Sequence, residues 1–163
     1  MHRQTYDKEK ASFNIAKLKK GGETFEIIID PDNAIAFKNG QNIDIKDILQ
    51  GDKILANAQR ALLASETTMK TIFKTDAVIE IAKIILNEGE IQLTAEYRQK
   101  LRDEKRKKII STIVRNAIDP KTNLPHPRVR IENAFDQVKI KVDEFKSAED
   151  QITEIIKKLR PIL

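Results

Sequence analysis

Apolar residues in this chain recur at every second position near its start and at every third or fourth position further on, and that change of period constrains the fold more than any other feature. Residues 14–38 read as three short strands. Asn14–Lys20 sets Ala16 and Leu18 on one side and Lys17 and Lys19 on the other, Thr24–Asp30 aligns Phe25, Ile27 and Ile29, and Ala34–Lys38 brings Ile35 and Phe37 together. Gly21-Gly22 and Asp30-Pro31-Asp32-Asn33 supply the turns, and Asn39-Gly40 closes the third strand. Helical spacing then takes over. Asp44 caps a short helix carrying Ile45, Ile48 and Leu49, and Ser65 or Thr67 caps one carrying Met69, Ile72 and Phe73. Thr75 caps another with Val78, Ile81, Ala82 and Ile85, stopped by Gly89. Lys53–Ala56 and Glu90–Leu93 are short extended stretches. Residues 1–93 are therefore expected to form an α+β domain, a small antiparallel sheet with covering helices.

Residues 94–163 carry helical spacing almost throughout. Thr94 opens a long helix to about Ile118, apolar in its second half through Ile109, Ile110, Ile113 and Val114 and ended by Asp119-Pro120. A loop, Asp119–Pro127, leads to a helix with Val129, Ala134 and Phe135. Val138, Ile140 and Val142 alternate as an extended piece would. Ser147 caps a last helix, with Asp150 three residues on, a stripe of Ile152, Ile155, Ile156 and Leu159, and a stop at Pro161. Three such helices make a small bundle domain, 94–163.

Charge follows the same division. Residues 1–93 hold 13 basic and 14 acidic side chains, whereas residues 94–163 hold 17 and 11, a net of +6. The excess concentrates in Arg98–Lys108, where seven of eleven residues are basic: Arg98, Lys100, Arg102, Lys105, Arg106, Lys107 and Lys108. On a helix, Arg98, Arg102, Lys105 and Arg106 share a face, flanked by the other three, and Asp103 and Glu104 cannot neutralise them all. A helix apolar at one end and basic at the other docks by the first and offers the second to an acidic partner, of which a nucleic-acid phosphate backbone is the natural example. The plainer reading is a solvated helix face. Lys17, Lys19 and Lys20 beside Gly21-Gly22 form a second, smaller basic spot, and no GxxxxGK[ST] phosphate loop follows it. With only eight aromatic residues, stacking on bases is not the expected mode, and contact with folded RNA through shape and phosphate is.

Other chemistry finds little support. There is no cysteine, which excludes disulfides, Cys-based metal sites and a cysteine nucleophile. A two-histidine metal centre would need both His2 and His126, and no metal-binding spacing accompanies either. No catalytic residue, metal or cofactor is expected, and an enzyme acting on RNA is the weakest of the readings. No apolar stretch suits a membrane span, and the opening MHRQTYDKEKAS does not suit a signal peptide, so a cytoplasmic protein is expected.

Several stretches together resemble the Shwachman–Bodian–Diamond syndrome protein (SBDS) family of ribosome maturation factors, in its archaeal form. They are NIAKLKKGGETFEI (14–27), DIKDILQ (44–50), IFKTDAVIEIAKIILNEGEIQLT (72–94), EKRKKIISTIVRNAIDPKTNLPHP (104–127), RIENAF (130–135) and FKSAEDQITEIIKKLRPIL (145–163), in order over about nine tenths of the chain. The resemblance implies an α+β domain followed by a three-helix domain, with the family's third, ferredoxin-like domain absent from these residues. It implies a non-enzyme that binds rRNA and protein of the large ribosomal subunit as a monomer. With an elongation-factor-like GTPase, it would assist release of an anti-association factor, a coupling that the absent domain puts in question. The alternative is a general RNA-binding accessory protein of an RNA-processing complex. Two positions depart from the family: Lys74 and Asn123 stand where glycine is common.

Overall fold

The computed structural model describes residues 13–163; His2 and the polar opening segment, 1–12, lie outside them. The chain divides into two compact units, one ending at Ala95 and the other running Glu96–Leu163.

The first unit is built on an antiparallel sheet of five strands. β1 (Ile15–Lys20) and β2 (Glu23–Ile28) form a hairpin whose register sets Ala16 opposite Ile27 and Leu18 opposite Phe25. Its two turn residues, Gly21 and Gly22, have φ of 61° and 77°, the pair of left-handed conformations that lets a two-residue turn follow the strands' twist. β3 (Leu55–Asn57) and β4 (Leu62–Leu63) extend the sheet beyond β2, and β5 (Glu90–Gln92) pairs with β1 on the other side. The strand order is β4-β3-β2-β1-β5.

The third strand read in the sequence is a helix. α1 (Pro31–Lys38) begins where a turn was expected, because Asp30-Pro31 also starts helices. Proline at the first position has no N–H to lose, and the Asp30 carboxylate accepts from Asp32 N at 3.2 Å and from Asn33 Nδ2 at 2.9 Å. α2 (Ile45–Ile48) is capped by Asp44 and α3 (Glu66–Phe73) by Ser65. α4 (Val78–Glu88) has Ala77 at its cap; Thr75, expected there, lies two residues earlier, and its hydroxyl accepts from Ala77 N at 3.1 Å. Ile81, Ala82, Ile85 and Leu86 are buried on the face of α4 that packs on β1 and β2, against Phe25 and Ile27 from the sheet's inner side. Lys74 ends α3 with φ 62°, and Asn123 turns the 119–127 loop with φ 57°, so both departures from glycine adopt the left-handed conformation glycine would supply.

The sheet's other side carries a row that crosses four strands: Glu90, Lys17, Glu26 and Leu55. Glu26 is only 7% exposed, and burial pushes its carboxyl above the ordinary value of 4.5, with Lys17 and the Ala58 N–H pulling it back. A carboxyl that holds its proton more readily folded than unfolded makes stability fall as pH rises from the ordinary value through the folded one. Glu26→Gln should therefore raise the melting temperature at neutral pH, and thermal melts should show that advantage shrinking as the pH falls toward 4.5 and gone below it.

The second unit is helical. α5 (Ala95–Asn116) stops two residues before the expected Ile118, which turns extended and bridges to Pro125. α6 (Arg128–Val138) ends at Lys139, whose φ of 54° is left-handed. α7 (Ala148–Leu159) is capped by the Ser147 hydroxyl, which accepts from Asp150 N at 3.1 Å, and a 3-10 turn, Arg160–Ile162, follows. Ile109, Ile110 and Ile113 of α5 meet Ile131, Ala134 and Phe135 of α6 and Ile155 and Leu159 of α7 in one core. Val142 joins that core from the strap between α6 and α7, which forms no strand ladder, and Val138 of the same alternating set lies in α6.

Candidate nucleic-acid interface

The basic run lies on α5, and its cations meet different fates. Arg102 reaches Glu144 at 3.2 Å and donates through its other terminal nitrogen to Gln99 Oε1 at 2.7 Å. Lys105 donates to the backbone carbonyl of Glu144. Arg106 pairs with Asp136 at 3.0 Å and stands 5.5 Å from the centre of the Phe135 ring. Burial holds the Lys105 ammonium below its ordinary pKa; Asp143 and Glu144 oppose that and Lys108 adds to it. These three side chains, read in the sequence as exposed, are half-buried ties between α5, α6 and the strap. The reason is an acidic strap segment, about 40 residues away in sequence, that folds against them.

That strap is fixed by one amide. Buried Gln151 donates to the carbonyls of Asp143 at 2.8 Å, Lys146 at 3.0 Å and Ser147 at 3.3 Å, and its Oε1 accepts from Asp143 N at 2.7 Å. The groove it borders, about 710 Å³, is lined by Arg102 and Arg106 but also by Asp103, Asp143 and Glu144. Its cations already face its own acids.

Lys100 and Lys108 are more available. Lys100 lies 4.0 Å from Glu104 and 5.8 Å from the half-buried Tyr97 ring, and Lys108 lies 3.0 Å from Glu149, with all four charged groups exposed. Exposed pairs of this kind contribute about 0–1 kcal/mol, so a phosphate can take either lysine at little cost. Arg98 is half-buried, with its Nε enclosed and unpartnered. Lys107 is exposed and makes no hydrogen bond or ion pair among the described residues.

Lys107 points to cations the sequence reading passed over. Ser111 and Arg115 follow it at intervals of four and so lie along the same side of α5, and Arg115, like Lys107, is exposed and unpaired among the described residues. Arg128 of α6 donates to Ser111 Oγ at 3.1 Å, which brings a third cation to this stripe; it also pairs with Glu132 at 2.9 Å. The signal was present as that four-residue spacing, masked by the denser run before it.

In the first unit, Lys17 sits between Glu90 and Glu26 in the charged row, and Lys20 reaches Glu88 at 3.4 Å and the Phe73 ring at 5.9 Å. Lys19 is exposed opposite Thr24. The hairpin thus presents one unengaged cation of the three. No group of three or more His, Asp or Glu able to hold a metal ion occurs among the described residues. No helix among them is long and apolar enough to cross a membrane.

Comparison with known proteins bears on both units. Residues 12–99 match the SBDS N-terminal domain and residues 107–163 match SBDS domain II. The ribosome maturation protein SDO1 homolog of Methanothermobacter thermautotrophicus is 39% identical over 147 residues, covering 90% of this chain and 63% of that protein. The SDO1 homolog of Aeropyrum pernix is 36% identical over 155 residues, covering 95% of this chain and 66% of its own. The ribosome maturation protein SBDS of Mus musculus is 27% identical over 146 residues, 90% of this chain and 58% of the mouse protein. The chain spans a little under two thirds of the length of the archaeal relatives. With one family domain matched across its sheet unit and the next across its helical unit, in the family's order, the chain belongs to the SBDS family.

Proposed function

We propose that this chain is a ribosome maturation factor that binds rRNA of the large ribosomal subunit and assists GTPase-dependent release of an anti-association factor. The relatives' names point to ribosome maturation. The structural observation that carries the RNA-binding part is the side of α5 bearing Lys107 and Arg115, joined by Arg128 and bordered by Lys108, where cations outnumber the acids able to compensate them. Phosphates displace water and counterions from such a surface, and the ties that compete, Arg128 with Glu132 and Ser111 and Lys108 with Glu149, hold exposed cations and cost little to exchange. Lys100, Lys19 and Lys20 are the other cations of the sequence reading that remain exposed, and they belong to the proposed contact set. Arg102, Lys105 and Arg106 serve it indirectly, by seating α5 on the bundle.

Salt-titrated binding to purified large subunits tests this division. Each phosphate neutralised adds about 0.7–0.9 to the slope of log K against log salt. Lys107→Ala, Arg115→Ala and Arg128→Ala together should flatten that slope by roughly 2–3 with the fold intact, since exposed substitutions usually shift stability by less than about 0.5 kcal/mol. Arg102→Ala, Lys105→Met and Arg106→Ala together should instead lower the unfolding midpoint and change the slope by less than about 1. An unchanged slope in the first triple variant would remove this face of α5 from the RNA interface. Equal affinity for naked RNA and for large subunits would favour the general RNA-binding alternative.

A further inference from the structure

The charges of the 710 Å³ groove between α5 and the strap are unequally committed. Of its acids, Asp103 accepts from Gln99 Nε2 at 2.9 Å and Asp143 accepts from Phe145 N at 2.8 Å, so each holds a neutral donor. Only Glu144 pairs with an arginine, its Oε1 standing 3.2 Å from Arg102. Gln99 orients that guanidinium through its other terminal nitrogen, at 2.7 Å. An arginine steadied by a neutral amide and turned toward one carboxylate oxygen is equally placed to receive a phosphate oxygen. Arg106 and Lys141 line the same groove, and Lys141 is exposed with no hydrogen bond or ion pair among the described residues.

The Glu144 carboxylate can leave without loosening the fold, because other atoms fix the strap. Lys105 holds the backbone carbonyl of Glu144, not its carboxylate. Gln151 binds the backbone of Asp143, Lys146 and Ser147, and Val142 sits in the core. The pair is also reached from solvent, its side chains being 35% and 16% exposed. Rotation of one side chain therefore carries the carboxylate into water and uncovers Arg102. An incoming phosphate replaces one anion by another, so the arginine is not left as an uncompensated charge. The groove also adjoins the cationic stripe. Asp103 and Arg106 line both it and the neighbouring groove of about 410 Å³ that holds Lys107 and Arg128. A polynucleotide seated on the stripe thus brings its next phosphates to this groove, an advantage that a free phosphate ion lacks.

We propose that this groove is a further phosphate subsite of the RNA interface, centred on Arg102 and Lys141, and that the Glu144 carboxylate fills it in the free chain as an internal competitor. The proposal rests on the RNA reading and deepens it: Arg102 seats α5 in the free chain and contacts RNA once Glu144 yields. Salt-titrated binding of the full chain to purified large subunits tests it. Glu144→Gln keeps the side chain's shape and removes its charge. It should tighten binding about three- to tenfold and steepen the slope of log K against log salt by about 0.7–0.9, the contribution of one more phosphate. Glu144→Ala, which removes the competitor outright, should act in the same direction. Glu96→Gln removes an exposed carboxylate from the same helix and should leave the slope unchanged, which separates the subsite from net charge. Adding Arg102→Ala to Glu144→Gln should abolish the gain. Inorganic phosphate, added at constant ionic strength, should leave the gain intact. Wild-type affinity and slope in both Glu144 variants, a gain matched by Glu96→Gln, a gain that survives Arg102→Ala, or a gain erased by millimolar inorganic phosphate would overturn the proposal. The Lys107, Arg115 and Arg128 triple variant reads the stripe separately. A flattened slope there with no gain from Glu144→Gln removes this subsite alone, whereas a gain from Glu144→Gln without that flattening removes the stripe.

Discussion

Phe135→Ala should cost the second unit about 3–5 kcal/mol, the range for deleting a buried phenyl ring from a packed core. Phe135 is 1% exposed and belongs to the core cluster to which all three helices contribute. Its ring also seats the Arg106 guanidinium, 5.5 Å from the ring centre, so truncation removes a cation–π contact of about 0.5–1 kcal/mol as well. Small domains are stable by about 5–15 kcal/mol, so the loss is a large share of the total. Urea denaturation followed by amide NMR should show resonances of 96–163 collapsing at markedly lower urea, with those of 13–95 keeping their wild-type midpoint. Parallel loss across both stretches would mean that the two units do not fold independently, contrary to the two-domain organisation proposed here.

Gly89→Ala should be the most damaging single methyl added to the first unit, costing about 3 kcal/mol, the upper part of the range for overpacking. Gly89 has φ −90° and ψ −172°, a conformation open to any residue. What it lacks is room. A Cβ there would stand 2.4 Å from the Lys17 carbonyl oxygen and 2.5 Å from that of Ile85. Both are backbone atoms. Gly89 N donates to Ile85 O at 2.8 Å, and Lys17 pairs in register with Glu90, so relief comes only by breaking the end of α4 or the β1–β5 ladder. Gly22→Ala is the control: its φ of 77° is strained for alanine but its surroundings are empty, and about 1–2 kcal/mol is expected. Urea midpoints for the two variants should rank in that order.

The same glycine shows how far the sequence could be read. Its position as a helix stop was legible from the spacing of Val78, Ile81 and Ile85, but its true constraint, the approach of a strand some 70 residues earlier, was not. β1, β2, β5 and the caps Asp44, Ser65 and Ser147 were legible because each depends on neighbours within a few residues. Pro31–Lys38 was misread because Asp-Pro-Asp-Asn serves turns and helix starts alike, and Ile35 and Phe37, which a strand would place on one side, are half-buried on different sides of the helix. In the basic run, the positive charge was plain and its compensation was hidden. Glu144 and Asp136 lie 42 and 30 residues from the arginines they meet, and nothing local announces such pairs. Arg115 and Arg128 were overlooked for the converse reason, since Ser111, the residue that links them, carries no charge.

The placement of β5 has a consequence for synthesis. β1 precedes the other strands of the described residues, but its outer edge is filled only by Glu90–Gln92. A chain growing at about 5–20 residues per second therefore spends several seconds with one edge of β1 unpaired, while β2 is already in place on the other. Until residue 92 leaves the exit tunnel the nascent hairpin presents that edge to any extended segment nearby, and an unpaired edge is a template for wrong partners. Lys17 and Lys19 along β1 discourage association between nascent copies during this interval. In this reading the lysines of the first strand protect a vectorially made sheet before its last strand arrives.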